Sequence, residues 1–490
     1  TCRVDTPRDT GDDRAVSTRH LFVALILPLL AASPAAAAPE QIHLSWRKDP
    51  RTTITVTWRS SSPQGTVQYG PTAAHGSSVA ATSTPYEGSY LHIADITGLT
   101  QGTTYHYRCG AAGGWSPDRS FRTAPKAGAP YRYAAYGDSR SDDAKRAIVM
   151  AAVLARKPAL SLHTGDFVGD GHKQSQWDQW FKTMQPLLST SPLMAALGNH
   201  EHLAKRYYDQ FALPTHSPPS SSIPLESYYS FDYASTHFVA LSTEHSPKVG
   251  DHQYNWLRAD LIAAARRPHI RWIVAFAHRP PYSTGPHGDF AAAKDAWCHV
   301  FESFGVDVTF WGHDHTYERT KGIFQGRAVE AGGVHYIVTG GAGAPLYTAT
   351  GSPLTAAGKK QYHFVEVEVS GDQMKLSARD PSGAVFDTLS LHKPGPKPRW
   401  IMDGALDPGT TKLAGSGGDL GQLRAGFDGR HLYVAAAGMP STRDKFIFLS
   451  AARPDTLGPA PWTKQGKAWR GFAVLALEGD SGWSAWHDPA

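Results

Sequence analysis

Residues 159–170 read Ala159-Leu160-Ser161-Leu162-His163-Thr164-Gly165-Asp166-Phe167-Val168-Gly169-Asp170, a short stretch of strand character that stops at a glycine and an aspartate. The same succession of strand and polar cluster occurs four more times. Tyr131 to Tyr136 leads into Gly137-Asp138-Ser139-Arg140, and Pro192 to Leu197 into Gly198-Asn199-His200-Glu201-His202. Arg271 to Ala277 leads into His278-Arg279-Pro280-Pro281-Tyr282, and Val306 to Trp311 into Gly312-His313-Asp314-His315. Helical spacing is read at Asp142 to Arg156, Gln174 to Leu188, Tyr254 to Arg266 and Ala291 to Phe304, and a hairpin over Tyr228 to Tyr233 and His237 to Leu241. Strands alternating with helices predict α/β layers, with a sheet covered on both faces. In such a sheet, ligands bind in the loops beyond the carboxyl ends of the strands.

One Gly-Asp or Asn-His after a strand is ordinary turn chemistry. Five clusters in one position, with only Asp, Asn and His at their cores, are hard to explain by turns. Carboxylates, an amide oxygen and imidazoles suit a pair of divalent cations of intermediate softness, and the lack of cysteine argues against a structural zinc site. Two such ions roughly 3.5–4 Å apart clamp the oxygens of an in-line phosphoryl displacement.

Outward from this centre the chain changes character twice. Before it, Glu40 to Pro125 is a series of short alternating strands separated by turn residues, as in a β-sandwich, and the run from Gly98 to Tyr105 has the form of a tyrosine corner. After it, the linker Lys393-Pro394-Gly395-Pro396-Lys397-Pro398 precedes short strands and the tryptophans Trp462, Trp469, Trp483 and Trp486. At the start, Arg14 and Arg19 flank an apolar run, Leu21 to Ala31, followed by Ser33-Pro34 and four alanines. This reads as an export signal cleaved near Ala38-Pro39. The expected organisation is therefore a signal and upstream segment over 1–38, a fibronectin type III-like β-sandwich over 39–125, an α/β domain over 131–393 and a β-rich accessory module over 399–490.

Composition is consistent with several folded domains: 490 residues, 41% hydrophobic and 11% aromatic. The net charge of +5 is thinly spread with no Lys/Arg run, so no nucleic-acid platform is expected. Three cysteines cannot staple a chain of this length, and no segment beyond the export signal reads as membrane-spanning.

The ordered set Gly-Asp, Gly-Asp, Gly-Asn-His-Glu, His and Gly-His-x-His resembles the calcineurin-like metallophosphoesterases. It is most similar to purple acid phosphatase-like enzymes, which also carry a fibronectin-like domain first; His313-Asp314-His315-Thr316-Tyr317-Glu318-Arg319 matches that group closely. The resemblance implies a central domain of two sheets flanked by helices, with two divalent or mixed-valence metal ions (Fe, Mn or Zn) at one edge. It assigns Asp138 and His315 to the first ion, Asp166 to the bridge, and Asn199, His278 and His313 to the second. His200 and Asp166 would be catalytic, and His200 would hold a phosphate oxygen or protonate the leaving group. Arg140, His200, His202 and Tyr282 are candidate substrate contacts, with Asp170, His287, Tyr317 and Arg319 around the pocket. Glu201 and Asp314 would orient neighbouring groups, His163 would be core, and the Gly340 to Ala344 loop would line the site.

Two departures from the pattern matter. Gly169 stands where purple acid phosphatases have a tyrosine ligand, which implies a colourless protein. Arg140 stands where many members of the wider superfamily have a histidine ligand, so the first ion would be held less tightly. The implied function is an exported phosphomonoesterase, secreted, periplasmic or at the cell surface, in which a metal-bound hydroxide attacks phosphorus. The alternatives are a phosphodiesterase, including one acting on cyclic nucleotides, and a non-catalytic wall- or glycan-binding protein that makes contact through the C-terminal module.

Overall fold

The computed structural model describes residues 38–215, 223–330 and 332–393, together with the backbone of six strands between residues 411 and 487. Residues 1–37 of the expected export signal lie outside the described residues. So do the side chains of the C-terminal module, whose strands form two three-stranded antiparallel sheets. No helix among the described residues is long and apolar enough to cross a membrane.

The first sandwich pairs Glu40–Ser45, Ile54–Ser60, Ser89–Ile96 and Thr82–Tyr86 in one sheet. The other contains Ser77–Ala80, Thr66–Gly70, Thr104–Ala111 and Gly114–Trp115, and Arg119–Arg122 also pairs with Thr104–Ala111. Trp58, Val67, Tyr107 and Phe121 are buried within the sandwich, and Trp46 is buried against Phe231 and Tyr233, each burial stabilising by roughly 2–3 kcal/mol before entropy is counted. The tyrosine corner is present: the Thr100 N–H donates to the Tyr105 hydroxyl at 2.9 Å. This sandwich is seated on the next layer by specific bonds. Tyr107 donates to the Ser189 carbonyl (2.7 Å), Arg59 to Asp178 (2.5 Å) and Ser45 to the Ala212 carbonyl (2.6 Å).

The central domain is built on two sheets. The first runs Leu193–Ala195, Ser161–His163, Tyr131–Tyr136, Phe364–Ser370, Gln373–Arg379 and Val385–His392 in spatial order. The second runs Tyr229–Tyr233, Thr236–Ala240, Trp272–Phe276, Val308–Trp311, His335–Thr339, Tyr317–Thr320 and Thr355–Lys359. Alternation along one strand explains how the second sheet is filled. Trp272, Val274 and Phe276 join the core shared with the first sheet, while Ile273, Ala275 and Ala277 join a separate core with the helices His252–Ala265 and Ala291–Phe304. Both faces are covered, so the central strands, such as Trp272–Phe276, are largely apolar. Tyr133 crosses the gap between sheets, edge-on to Phe238 with centroids 5.2 Å apart. Helix Asp143–Ala155 starts where Asp142 accepts the Lys145 N–H at 2.9 Å. Three strands of the first sheet and four of the second run parallel, so their carboxyl ends face the same way within each sheet. Cys109 and Cys298 are buried and unbridged.

Near the amino end of its strand, His237 is buried between two carboxylates, Nδ1 2.8 Å from Asp232 and Nε2 2.8 Å from Asp260. Arg267 donates to Asp232 (2.6 Å), His269 lies 3.5 Å from Asp232, and Ser230 donates to Asp260 (2.7 Å). Burial pushes the imidazole pKa down, but the charges and hydrogen bonds of Asp260 and Asp232 outweigh it, so the pKa ends above its ordinary value of 6.5. A pKa raised by folding gives stability that is fully present below 6.5 and lost as pH rises through the folded value. Thermal melts across roughly pH 5–9 are expected to show the melting temperature falling on the alkaline side, and His237→Gln to flatten that fall. An unchanged slope in the variant would exclude His237 as its source.

Candidate metal centre

The clusters singled out in the sequence converge because glycine lets their loops touch. A Cβ on Gly198 would stand 2.3 Å from the Asp166 nitrogen and 2.4 Å from its Oδ1, and one on Gly312 would stand 2.3 Å from Asp138 Oδ2. The residue after three of these glycines turns in the left-handed region: φ is 55° at Asp138, 58° at Asp166 and 70° at His313. Holding non-glycine residues there costs on the order of 1 kcal/mol each, and the packing of the sheet ends must offset it.

Asp138, Asp166 and His315 are buried, with one potential ligand atom of each lying within 4.8 Å of the others. His315 Nε2 is 3.5 Å from Asp138 Oδ1, and His278 Nε2 is 3.2 Å from Asp166 Oδ1 and 2.9 Å from Asn199 Oδ1. The His313 N–H donates to both oxygens of Asp138 (3.1 and 3.0 Å), and its ring centroid is 5.1 Å from that of His278. The His200 N–H donates to Asp166 Oδ1 (3.1 Å), and its Nε2 is 3.8 Å from Asp166 Oδ2. Three imidazoles are oriented in the same manner. The carbonyls of Thr164, Pro345 and Gly169 accept from Nδ1 of His278, His315 and His200 at 2.8, 2.7 and 2.8 Å. A carbonyl can only accept, so in each neutral ring the proton is on Nδ1 and the Nε2 lone pair points at the cluster.

That arrangement fits a cation. With Nδ1 protonated, the Nε2 lone pair of His278 faces two oxygens, and a positive ion or a proton must lie between them. The donors are oxygen and imidazole nitrogen, as intermediate divalent ions require. Burial pushes the Asp138 carboxyl up, but when a second proton takes the place of a cation on the imidazoles, the His315 hydrogen bond and the positive charges of His278, His315 and Arg140 hold it below its usual range. Glu201, fully buried, accepts the N–H groups of Asp166 (3.0 Å), Phe167 (2.9 Å) and Gly198 (2.8 Å), and so ties two loops together. Burial and the charge of Asp166 raise its pKa to about 8.

Arg140 lies inside the cluster, Nε 3.3 Å from Asp166 Oδ2 and Nη2 3.4 Å from His315 Nε2. His202 lines a cavity of about 460 Å³ with Asn199, Leu203, Glu244 and Arg279. Asp170 is paired with Lys173 at 3.4 Å. Asp314 accepts from His287 Nδ1 (2.9 Å) and Ser283 Oγ (2.5 Å), and places the His287 ring 4.2 Å from that of His313. His163 is core, stacked on Phe167 at 3.8 Å.

Three expectations fail. Tyr282 is not a substrate neighbour: its ring is buried in the outer core, 4.7 Å from Tyr336, because the two prolines before it carry the chain down onto the helix side of the sheet. Tyr317 and Arg319 do not line the pocket. Both lie on a strand and are held by Asp387, at 2.6 Å from the Tyr317 hydroxyl and 2.6 Å from Arg319 Nε. Three residues at the site went unread. Tyr347 stacks on His315 at 4.2 Å, while Leu203 and Glu244 line the cavity. For Glu244 a signal existed: Ser242-Thr243-Glu244-His245 follows a strand just as the other clusters do.

Gly198→Ala is expected to displace Asp166, because the new methyl would overlap its backbone and carboxylate. Elemental analysis of the purified variant should show lost metal while circular dichroism stays folded. Full metal content would refute the close-approach argument.

Comparisons with known proteins agree with the geometry. Residues 39–123 match the model of the purple acid phosphatase N-terminal domain, and residues 89–317 that of the calcineurin-like phosphoesterases. Acid phosphatase type 7 of Mus musculus is 29% identical over 440 residues, 76% of this chain and 96% of that protein. Purple acid phosphatase 22 of Arabidopsis thaliana is 30% identical over 319 residues, 62% of this chain and 72% of that protein. Among solved structures, purple acid phosphatase PPD1 from yellow lupin (Lupinus luteus) seeds superposes with a TM-score of 0.65 at 22% identity, over 72% of this chain and 74% of that one. Fold, domain order and sequence lead to one assignment: the chain belongs to the purple acid phosphatase family, metal-dependent hydrolases of phosphoric esters.

Proposed function

We propose that this chain is an exported phosphomonoesterase that works with two metal ions. The observation that carries the reading is the position of Asp166. Its Oδ1 faces His278, beside Asn199, and its carboxylate lies in one cluster with Asp138 and His315, which suits a bridge between two cations. Asp138 and His315 would hold one ion, and Asn199, His278 and His313 the other. When bound, the two cations supply Lewis acidity, drawing charge from the phosphoryl oxygens and making water a nucleophile near neutral pH. Fe, Mn and Zn all suit the donor set, and Gly169 supplies no phenolate.

The chain's own groups do the rest. His200 commits Nδ1–H to the Gly169 carbonyl, so Nε2 is the atom that can bond a phosphate oxygen or hand a proton to the leaving alcohol. Arg140 presents a permanent positive charge beside Asp166, suited to a phosphoryl oxygen, while the same charge opposes a cation on the Asp138 side. His202, which lines the cavity, would meet the alcohol. The segment 1–38 would direct export, and 39–125, 131–393 and 399–490 would be the successive modules. Secretion, or retention in the periplasm or at the cell surface, would follow from such a signal.

Asp166→Asn should lower metal content and reduce 4-nitrophenyl phosphate turnover by more than about a hundredfold, the ceiling for losing a merely supporting group. His200→Ala should keep its metal and lose roughly 10²–10⁴ in kcat. Wild type should hydrolyse 4-nitrophenyl phosphate faster than the bis ester; the reverse order would make the chain a phosphodiesterase. The iron-loaded protein should show no tyrosinate charge-transfer band in the visible range, and a violet-to-yellow absorbance would contradict the reading of Gly169.

A further inference from the structure

The cavity beside the metal-ligand cluster has a wall that the phosphoryl chemistry does not account for. Its charges cancel locally. Arg279 Nε donates to Glu244 Oε1 at 2.9 Å and Nη2 reaches Oε2 at 3.4 Å, while the Arg279 N–H donates to Thr243 Oγ1 at 3.2 Å. Arg279 Nη1 also lies 3.4 Å from His313 Nε2. Lys173 is likewise paired with Asp170, at 3.4 Å. Arg279, the fixed cation among the residues lining the cavity, therefore already has a carboxylate partner and is not left over for a second anionic group.

The same wall carries an apolar group held out on purpose-built backbone. His202 and Leu203 follow one another in the left-handed region, at φ 52° and 54°. Hydrogen bonds from His202 N–H to the Asn199 carbonyl (3.2 Å) and from Ala204 N–H to the Glu201 carbonyl (2.9 Å) fix the turn. Leu203 is thereby left 44% exposed at the cavity. The His202 ring extends the surface, lying 5° from parallel with His172 at 6.0 Å. Two consecutive strained residues that present a leucine to water persist only where the surroundings demand it.

We infer that this cavity receives the alcohol half of the substrate and selects uncharged alcohols with an apolar face, with Glu244 acting as the filter against a second phosphate. The inference rests on the phosphomonoesterase reading and narrows its substrate class. Leu203 and His202 would cover the apolar face, and the Glu244–Arg279 pair would meet hydroxyl groups. A polyphosphate or an inositol polyphosphate would meet the Glu244 carboxylate, with Arg279 already engaged.

The test compares the full-length, metal-loaded wild type with Glu244→Gln and Glu244→Asp, on adenosine 5′-monophosphate and adenosine 5′-triphosphate. Wild type and Glu244→Asp should favour the monophosphate in kcat/KM. Glu244→Gln should narrow that preference by about tenfold through the KM of the triphosphate, because it removes one like charge and releases Arg279 from its carboxylate partner. In calorimetry, the hydrolysis-resistant adenosine 5′-(β,γ-imido)triphosphate should bind Glu244→Gln about tenfold more tightly than wild type by the same reasoning. Leu203→Ser should raise the KM of the monophosphate without changing inhibition by inorganic phosphate. Equal preference in wild type, or an unchanged calorimetric affinity in Glu244→Gln, overturns the filter. If wild type turns over no 4-nitrophenyl phosphate, the phosphomonoesterase reading fails separately, and the calorimetric comparison still decides the role of Glu244.

Discussion

Asp138 and Asp166 are almost completely withdrawn from water within one cluster, and two carboxylates so placed must be matched by positive charge or by donors. The surroundings read as an answer to that demand. Backbone N–H groups of His200 and His313 point at the carboxylates, Arg140 lies against Asp166, and the imidazoles are turned by distant carbonyls. Glu201, which accepts three backbone N–H groups, shows how strong that demand is. It is another fully buried carboxyl, bonded to the Asp166 backbone N–H, and burial with the charge of Asp166 pushes it towards the neutral form. Metal chemistry is thus the resolution of a charge problem posed by the packing.

The sheets make that packing possible. Strands buried on both faces bring their carboxyl ends to a common edge, and glycines allow the loops between them to approach to a few ångströms. The first sandwich reinforces the same layer from outside, through Tyr107, Arg59 and Ser45. Its contacts fall on the helix that follows Asp170 and on the segments after it, so it braces the layer beneath the strand-end loops.

Much of this was legible in the amino-acid order. Helix 142–156 and the hairpin near 228–241 were readable from spacing alone, because local periodicity decides them. The strand-end clusters were readable because their residue types are improbable as turns. Tyr282 was misread because adjacency to His278 in sequence says nothing about which side of the sheet a chain turns towards after two prolines. Tyr317 and Arg319 were misread because strand alternation and a distant partner, Asp387, fix them. Tyr347 depends on where the glycine-rich loop after the strand His335–Thr339 folds back, which no local pattern encodes. Glu244 was hidden because its cluster lacks the glycine that marked most of the others.

The left-handed turns at Asp138 and Asp166 restrict how such a centre can decay over evolutionary time. β-Branched or bulky side chains at either position would strain the main chain as well as remove a charge. Asparagine and glycine retain the turn while silencing the carboxylate. Descendants that lost the chemistry but preserved the architecture would therefore be expected to carry those two replacements, a mark of inactivity that can be read without any assay.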